Sequence, residues 1–543
     1  MIRPMRPTAP LIKTSRPVRI ETYWLAGAIV MGAALRLAFA GKMAIEHFDE
    51  GVYASNFWFG ADEGFQYPAR HLYAPPLLPA VIEWTMIVAS MCGIRPVGLV
   101  PMIPSLVAGL ATIPSMWWVG RRWFGPSAGI VAAWLVAASD YHASYSRTAL
   151  TDVPVCLLIL WGVYFTWQAI QTGAVRSIIL AGVFTALTWW TKYNGWLPLA
   201  IGASAAVAWQ LTTPSSERQV LKVANRFLMV AALAFLLWSP VLIELQKHGG
   251  YSAVASNHAQ YVEGLAKWPG NAVRQLSNLA IYQDLVLPYL PGRPRPPAIF
   301  YINAVAPAVL LAGILLVSLL TLFRSGTQKR SVDCWPLLAW VCGLTVAVPF
   351  YHPYPRLAMP WIMAIWLGTG FVVQTAINRG WLRLKARDLK LEWKPQWLEI
   401  AALLWLVGGT CLGERLVWED HSVLAEGVKL FSGQIKEAAI RSGAPDDEAI
   451  SYVYGAPAVI FHLRANRLPL SFPVQSREVL SSRAARPTFR VDLRSPGSLS
   501  VSSDDADVVS VFRFSPSMLV ELDQMQDSVP RPIWTLRLER LRN

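Results

Sequence analysis

Long runs of apolar residues recur along the whole chain, and they dictate what it can fold into. A helix rises about 1.5 Å per residue, so roughly 17–25 apolar residues cross the hydrocarbon core of a bilayer. Runs approaching that length lie at about 23–40, 97–119, 127–140, 153–170, 177–191, 196–210, 226–243, 301–323, 334–350, 357–377 and 398–413. The pattern predicts a polytopic α-helical membrane protein with about 11 transmembrane helices, and the shorter runs leave that count open by about two either way. Composition agrees, because only 15% of the 543 residues are charged, against about 25% in a soluble domain. Many of the 25 tryptophans flank apolar runs, as Trp117, Trp118, Trp189 and Trp190 do, and amphipathic rings settle at membrane interfaces.

The net charge of +14 does not mark a nucleic-acid binder. Lys and Arg sit in short loops between apolar runs, where they determine topology rather than build a phosphate-binding face. The N-terminal tail, residues 1–22, carries Arg3, Arg6, Lys13, Arg16 and Arg19 and is predicted to be cytoplasmic. Alternating from there puts Arg121-Arg122, the 211–225 loop, Arg324 to Arg330 and the 379–394 loop inside, and all four are net basic. Ala38-Phe39-Ala40 has the A-x-A pattern of a signal-peptide cleavage site. Arg36 interrupts that apolar run, however, and the residues that follow look functional, so an uncleaved anchor is the expectation. The stretch 75–93 is proline-broken and contains Glu83. If it spanned, every later basic loop would invert, so it is predicted to lie along the outer leaflet. Cys92, Cys156, Cys334, Cys342 and Cys411 lie in or beside apolar stretches without metal-ligand spacing and read as small hydrophobes.

This topology makes 23–413 a multi-span domain with outer segments 41–96, 140–152, 244–300 and 351–356, where most non-terminal acidic residues fall. Residues 414–543 have ordinary polarity, and stretches 449–454 and 507–513 alternate as strands do. They are predicted to form a soluble, extracytoplasmic α/β or α+β domain.

Charges at a membrane surface are costly unless hydrated or paired, so those in the outer loops are site candidates. Asp49 and Glu50 follow the first span in His47-Phe48-Asp49-Glu50-Gly51-Val52-Tyr53; the bland alternative is a helix start with acids in its first turn. Asp152 precedes an apolar run with Pro154 close behind, so it can cap a helix as well as act in a site. Arg147, nearby, can simply snorkel. Lys192, in Thr191-Lys192-Tyr193-Asn194-Gly195, suits either a phosphate or the headgroups. Tyr351-His352-Pro353-Tyr354-Pro355-Arg356 is a rigid turn that holds an arginine between spans, and a guanidinium there suits an anionic phosphate. His352 alone is more often structural than catalytic.

Taken in order, these segments resemble the C-type (GT-C fold) glycosyltransferases of the protein O-mannosyltransferase and aminoarabinose transferase superfamily, glycosyltransferase family 39 and its relatives. The matching elements are Asp49-Glu50 with Tyr53, Tyr73-Ala74-Pro75-Pro76-Leu77, Gly120-Arg121-Arg122-Trp123-Phe124-Gly125, Ser146 to Pro154, Thr191 to Gly195 and the Pro355-Arg356 turn. Similarity is clear over about 20–200 and weaker to 375. The resemblance implies a membrane-embedded enzyme, in a bacterial inner (plasma) membrane, with a polyprenyl-phosphate-linked sugar as donor and a protein, lipid or glycan as acceptor. By position, Asp49 would be the general base, with Glu50 beside it, and Asp152 a second acidic site residue. Lys192, Arg356, Arg147 and Tyr354 would face the donor phosphate, and Tyr53 and His352 the substrates. Aminoarabinose transferases carry basic residues where Ala74 and Val52 stand, so the resemblance does not extend to a lipid A-directed activity.

The implied chemistry is one inverting displacement: a carboxylate takes the acceptor's proton while the lipid phosphate leaves. Arg or Lys can stabilise that leaving group, so the pattern requires no cofactor and does not indicate a divalent metal. A lipid flippase or solute transporter is the rival from another class. It would show paired intramembrane charges and two similar halves, and the sequence has no internal repeat.

Overall fold

The computed structural model describes residues 18–55, 70–95, 97–282, 297–325, 332–378, 416–454, 456–474, 487–495, 506–517, 520 and 533–542. The run at 398–413, the 379–394 loop and most of the N-terminal tail lie outside the described residues. The membrane part contributes α1 (Val18–Leu37), α2 (Phe48–Ala54), α3 (Leu77–Met91), α4 (Ile103–Trp123), α5 (Pro126–Ala138), α6 (Asp140–Ser146), α7 (Asp152–Thr172) and α8 (Val175–Thr191). It continues with α9 (Leu197–Thr212), α10 (Val220–Gln246), α11 (Gly250–Ala259), α12 (Trp268–Tyr282), α13 (Pro297–Ser325), α14 (Cys334–Ala347) and α15 (Met359–Asn378). By length and composition, Val100–Trp123, Asp152–Thr172, Val220–Gln246 and Pro355–Asn378 can each cross a bilayer. Shorter apolar helices accompany them at Pro126–Ala138, Val175–Thr191 and Leu197–Thr212.

Small residues let these helices approach closely. A methyl on Gly129 of α5 would sit 2.4 Å from the Trp117 carbonyl of α4, and one on Gly370 of α15 would sit 2.4 Å from the Ala128 carbonyl. Arg36, fully buried near the end of α1, is accommodated by partners on three sides. Its guanidinium donates to the carbonyls of Gly32 at 3.0 Å and Val136 at 3.1 Å, and to His142 Nδ1 at 2.7 Å. This buried arginine thereby fastens α6 to α1. The α3 helix buries Glu83 and exposes Val81, Trp84, Val88 and Met91.

The bundle has two chemically different ends. At one, Arg121 Nε lies 2.9 Å from Glu21 Oε2, and Arg226 Nη1 donates to the carbonyls of Ile170 and Gln171 at 2.9 Å. That end carries the basic turns. The other, about 30 Å away along the 21-residue α7, gathers α2, α6, the start of α7, the turn after α8 and the 351–358 turn.

The chain's last part supplies α16 (Val423–Arg441), α17 (Pro457–Ala465) and strands β1 (Ile450–Tyr454), β2 (Ser471–Val474), β3 (Thr488–Arg494), β4 (Ala506–Phe514) and β5 (Trp534–Leu541). The alternating stretches at 449–454 and 507–513 are β1 and β4. The strand order is β2-β1-β3-β5-β4, with β1 parallel to both β2 and β3 and with β5 antiparallel to β3 and β4. α17 joins β1 to its parallel neighbour β2, as a crossover must, and rests on α2. At that contact, a methyl on Gly51 would lie 2.1 Å from the Ala458 nitrogen.

Candidate active site

The site begins where α1 hands over to α2. His47 caps α2, its Nδ1 accepting from the Asp49 amide at 3.1 Å, while Glu50 reaches back to the His47 amide at 2.9 Å. This is a reciprocal capping box with histidine in the place of serine or threonine. Glu50 also accepts from the amides of Glu46 at 3.1 Å and Ala149 at 2.7 Å. It therefore ties α2 to the turn that leads into α7. Burial pushes the Glu50 carboxyl up, and the three amide bonds pull the other way without cancelling the rise.

Its neighbour Asp49 points elsewhere. Asp49 Oδ2 accepts from Arg356 Nη1 at 2.6 Å. Burial alone would raise this carboxyl, but the charges of Arg356, His47 and Lys192 hold it below its ordinary value. Arg356 is held by the 351–356 turn, which pairs with residues 261–263. Within that pairing the Glu263 amide donates to Phe350 O at 2.9 Å and the His352 amide to Tyr261 O at 2.8 Å. His352 Nδ1 lies 3.1 Å from Glu263 Oε1, and Asn271 donates to Glu263 Oε2 at 2.8 Å. Burial would raise Glu263, yet these donors and Lys267 bring it down to about 2.

A second pair stands beside the first. Asp152, in the first turn of α7 where the helix dipole favours a carboxylate, accepts from Lys192 Nζ at 2.7 Å. Lys192 ends α8, and the turn after it closes through Gly195, whose added methyl would lie 2.2 Å from the Trp189 nitrogen. Asp152 is 2% exposed, and its Oδ2 has no hydrogen-bond partner among the described residues.

These groups surround a cavity of about 470 Å³. Asp49, Tyr53, Lys192, Tyr354 and Arg356 line it, and Asp152 stands one ion pair behind Lys192. The Tyr53 hydroxyl donates to the Tyr73 carbonyl at 3.4 Å, and burial followed by the Asp49 charge raises that phenol well above its usual value. The Tyr354 ring sits 5.7 Å from Tyr261 and 4.6 Å from His352, centroid to centroid. Glu50, Arg147 and His352 are not among the lining residues. Arg147 donates to the Val417 carbonyl, while Asp140 Oδ1 accepts from the Val417 amide at 3.2 Å. Together they clamp the start of the C-terminal domain.

Sequence reasoning did not single out several other wall residues, Glu46 among them. Asn257, His258 and Tyr261 come from the 244–300 segment, and Pro457, Leu493, Val520 and Trp534 come from the C-terminal domain. The close packing of Gly51 on α17 is what carries that domain to the cavity, and no spacing in the chain announces it. Chemically, the arrangement presents two cations to one cavity, each neutralised by a carboxylate, so an entering anion can exchange with those carboxylates.

Residues 74–243 match the protein family described as dolichyl-phosphate-mannose-protein mannosyltransferase. In structure the chain is similar to ArnT from Cupriavidus metallidurans bound to undecaprenyl phosphate, with a TM-score of 0.58 and 14% identity over 96% of this chain and 98% of that one. The same protein in its apo state gives 0.53 with the same identity and coverage. The oligosaccharyltransferase of Archaeoglobus fulgidus, in complex with zinc and sulfate, gives 0.50 at 11% identity, covering 83% of this chain and 62% of that one. No curated protein matches it in sequence. The class is therefore an integral membrane protein of the GT-C fold with a C-terminal sheet domain. Within that class, residues 74–243 carry the family match, and the likeness over the rest of the chain is one of fold.

Proposed function

We propose that the chain transfers a sugar from a polyprenyl-phosphate carrier to an acceptor hydroxyl, at the extracytoplasmic face of a bacterial plasma membrane, by one inverting displacement. One observation carries this reading: the Asp49–Arg356 pair and Lys192, with Asp152 held behind it, face a single cavity at the bundle end opposite the basic turns. The likeness to ArnT, which has been solved bound to undecaprenyl phosphate, supports the same donor class.

In the reaction the donor phosphate enters between Lys192 and Arg356, which neutralise it by charge-assisted hydrogen bonds. Arg356 then exchanges Asp49 for the phosphate. Without that cation, burial dominates Asp49 and lifts its pKa, turning a weak base into a competent one near neutral pH. The acceptor oxygen bonds to the anomeric carbon as the carbon–oxygen bond to phosphate breaks. The hydroxyl proton passes to Asp49, and the electron pair leaves on the lipid phosphate under Lys192 and Arg356. Asp152 holds Lys192 in place, and Tyr53 and Tyr354 shape the wall beside the sugar. Glu50 and His352 act as positioning residues, through the Ala149 turn and through Glu263 respectively. Arg147 acts in docking the C-terminal domain. The acceptor is a protein, a lipid or a glycan.

Asp49→Asn tests the assignment in membranes supplied with radiolabelled polyprenyl-phosphate sugar. The variant should retain polyprenyl-phosphate binding and lose transfer by about 10²–10⁴-fold. Transfer at the wild-type rate would remove Asp49 as the base.

A further inference from the structure

The C-terminal domain does more than wall the cavity, because it grips Lys42, Ile45 and Glu46 in the segment that leads into α2. His462 Nε2, on α17, donates to the Ile45 carbonyl at 2.7 Å. The Ser517 amide donates to Glu46 Oε1 at 3.0 Å, and His421 Nδ1 lies 3.5 Å from Glu46 Oε2. The His421 amide in turn donates to Lys42 O at 3.0 Å, and Lys42 Nζ lies 3.2 Å from Asp420. One turn further on, the α17 backbone sits flush against Gly51. α2 has seven residues, too few for a helix to hold its own geometry in water. Its placement therefore comes from these contacts and from Glu50.

Glu46 occupies the critical place in this set. It is three residues before Asp49, its side chain is 3% exposed, and its two oxygens face two different segments of the C-terminal domain. The opposite partner of Asp49, Arg356, is fixed by the 351–356 turn of the membrane domain. A shift of α2 thus changes the separation of Asp49 from Arg356 and from anything bound beside it. Displacements of about 1 Å at a reacting group cost roughly 10²-fold in rate.

We propose that Glu46 is a positioning residue through which the C-terminal domain sets Asp49 against Arg356 for the transfer step. This inference rests on the function proposed above. Glu46 then acts on turnover and not on donor affinity, because Lys192 and Arg356 both belong to the membrane domain.

The test uses the full chain in lipid nanodiscs with two variants, Glu46→Ala and Glu46→Gln. Glu46→Ala removes both contacts, while Glu46→Gln keeps an oxygen for the Ser517 amide. Hydrogen–deuterium exchange over residues 43–55, undecaprenyl-phosphate binding by native mass spectrometry, and kcat and KM for polyprenyl-phosphate sugar are measured together. The expected result for Glu46→Ala is faster exchange at 43–55, a kcat lowered about 10–100-fold, and donor KM and undecaprenyl-phosphate affinity within twofold of wild type. Glu46→Gln should recover most of kcat. Unchanged exchange in Glu46→Ala overturns the proposal, as does unchanged kcat. A loss of undecaprenyl-phosphate affinity makes Glu46 a direct ligand and overturns it as well. A wild-type chain that binds undecaprenyl phosphate but transfers no sugar refutes the proposed function itself. In that event faster exchange in Glu46→Ala would survive as a structural coupling, with no role in transfer left to it.

Discussion

His462 makes the docking of the C-terminal domain sensitive to acid, by an amount that the structure sets. Its ring is buried and donates Nε2–H to the Ile45 carbonyl, just before α2, and burial lowers its pKa from 6.5 to about 4. In the unfolded or undocked chain the imidazole returns to its ordinary value and takes up a proton about 2.5 units earlier. The stabilisation is therefore complete above pH 6.5 and is lost as pH falls from 6.5 toward 4, because the non-native state binds more protons in that window. At about 1.36 kcal/mol per unit, the full effect is roughly 3 kcal/mol, of which about 2.5 kcal/mol is gone by pH 4.5. His462→Gln places an amide N–H near the same carbonyl and cannot titrate. Urea titrations of both proteins in mild detergent at pH 7 and pH 4.5 give the comparison directly. The wild type should lose about 2–3 kcal/mol more than the variant between the two pH values. Equal losses would refute the reasoning, since the acid sensitivity would then belong to other groups.

The two ion pairs make further predictions. Arg356→Gln removes the cation that holds Asp49 down and leaves burial in control. The residual activity, reduced about 10²–10³-fold, should therefore fall off at a higher pH on acidification than in the wild type, as read from a pH–rate profile. An unmoved acid limb would show that Asp49 does not carry that ionisation. Lys192→Met leaves Asp152 without its partner at 2% exposure, which costs about 3–5 kcal/mol or forces protonation. Adding Asp152→Asn should restore thermal stability without restoring undecaprenyl-phosphate affinity, and recovery of both would place Lys192 in the scaffold alone.

Much of the fold was legible because a bilayer demands long apolar runs, and α4, α7 and α10 follow them closely. Asp49, Asp152, Lys192 and Arg356 stood out for the same reason, as charges placed where charge is costly. The division of labour between Asp49 and Glu50 was not legible. Adjacent residues on a helix point about 100° apart, and which of them meets the cavity is decided by a capping box whose cap is His47, outside the usual Ser/Thr signature. Arg147 has the same local appearance as the site cations. Its partner, Val417, lies 270 residues away, and no local pattern reveals it. The long loop and the C-terminal domain reached the cavity through tertiary contacts such as Gly51 on Ala458, which depend on the absence of a side chain and leave no periodicity to read.

The ion pairs bear on a problem that a transferase of the proposed kind must solve. A carboxylate basic enough to deprotonate a hydroxyl will also activate water, and a cavity of about 470 Å³ has room for water. With Arg356 bonded to Asp49, the carboxyl is held below its ordinary value and is a poor base. In the proposed reaction it becomes effective when the donor phosphate draws Arg356 away, so basicity appears with the substrate and lapses without it. The same exchange explains why the cations arrive already paired. An unpaired arginine and lysine at a membrane surface would cost more to bury than two neutralised ones. Each carboxylate thus lowers the cost of keeping a cation in the site, and in the proposed reaction Asp49 becomes a stronger base when it gives its cation up.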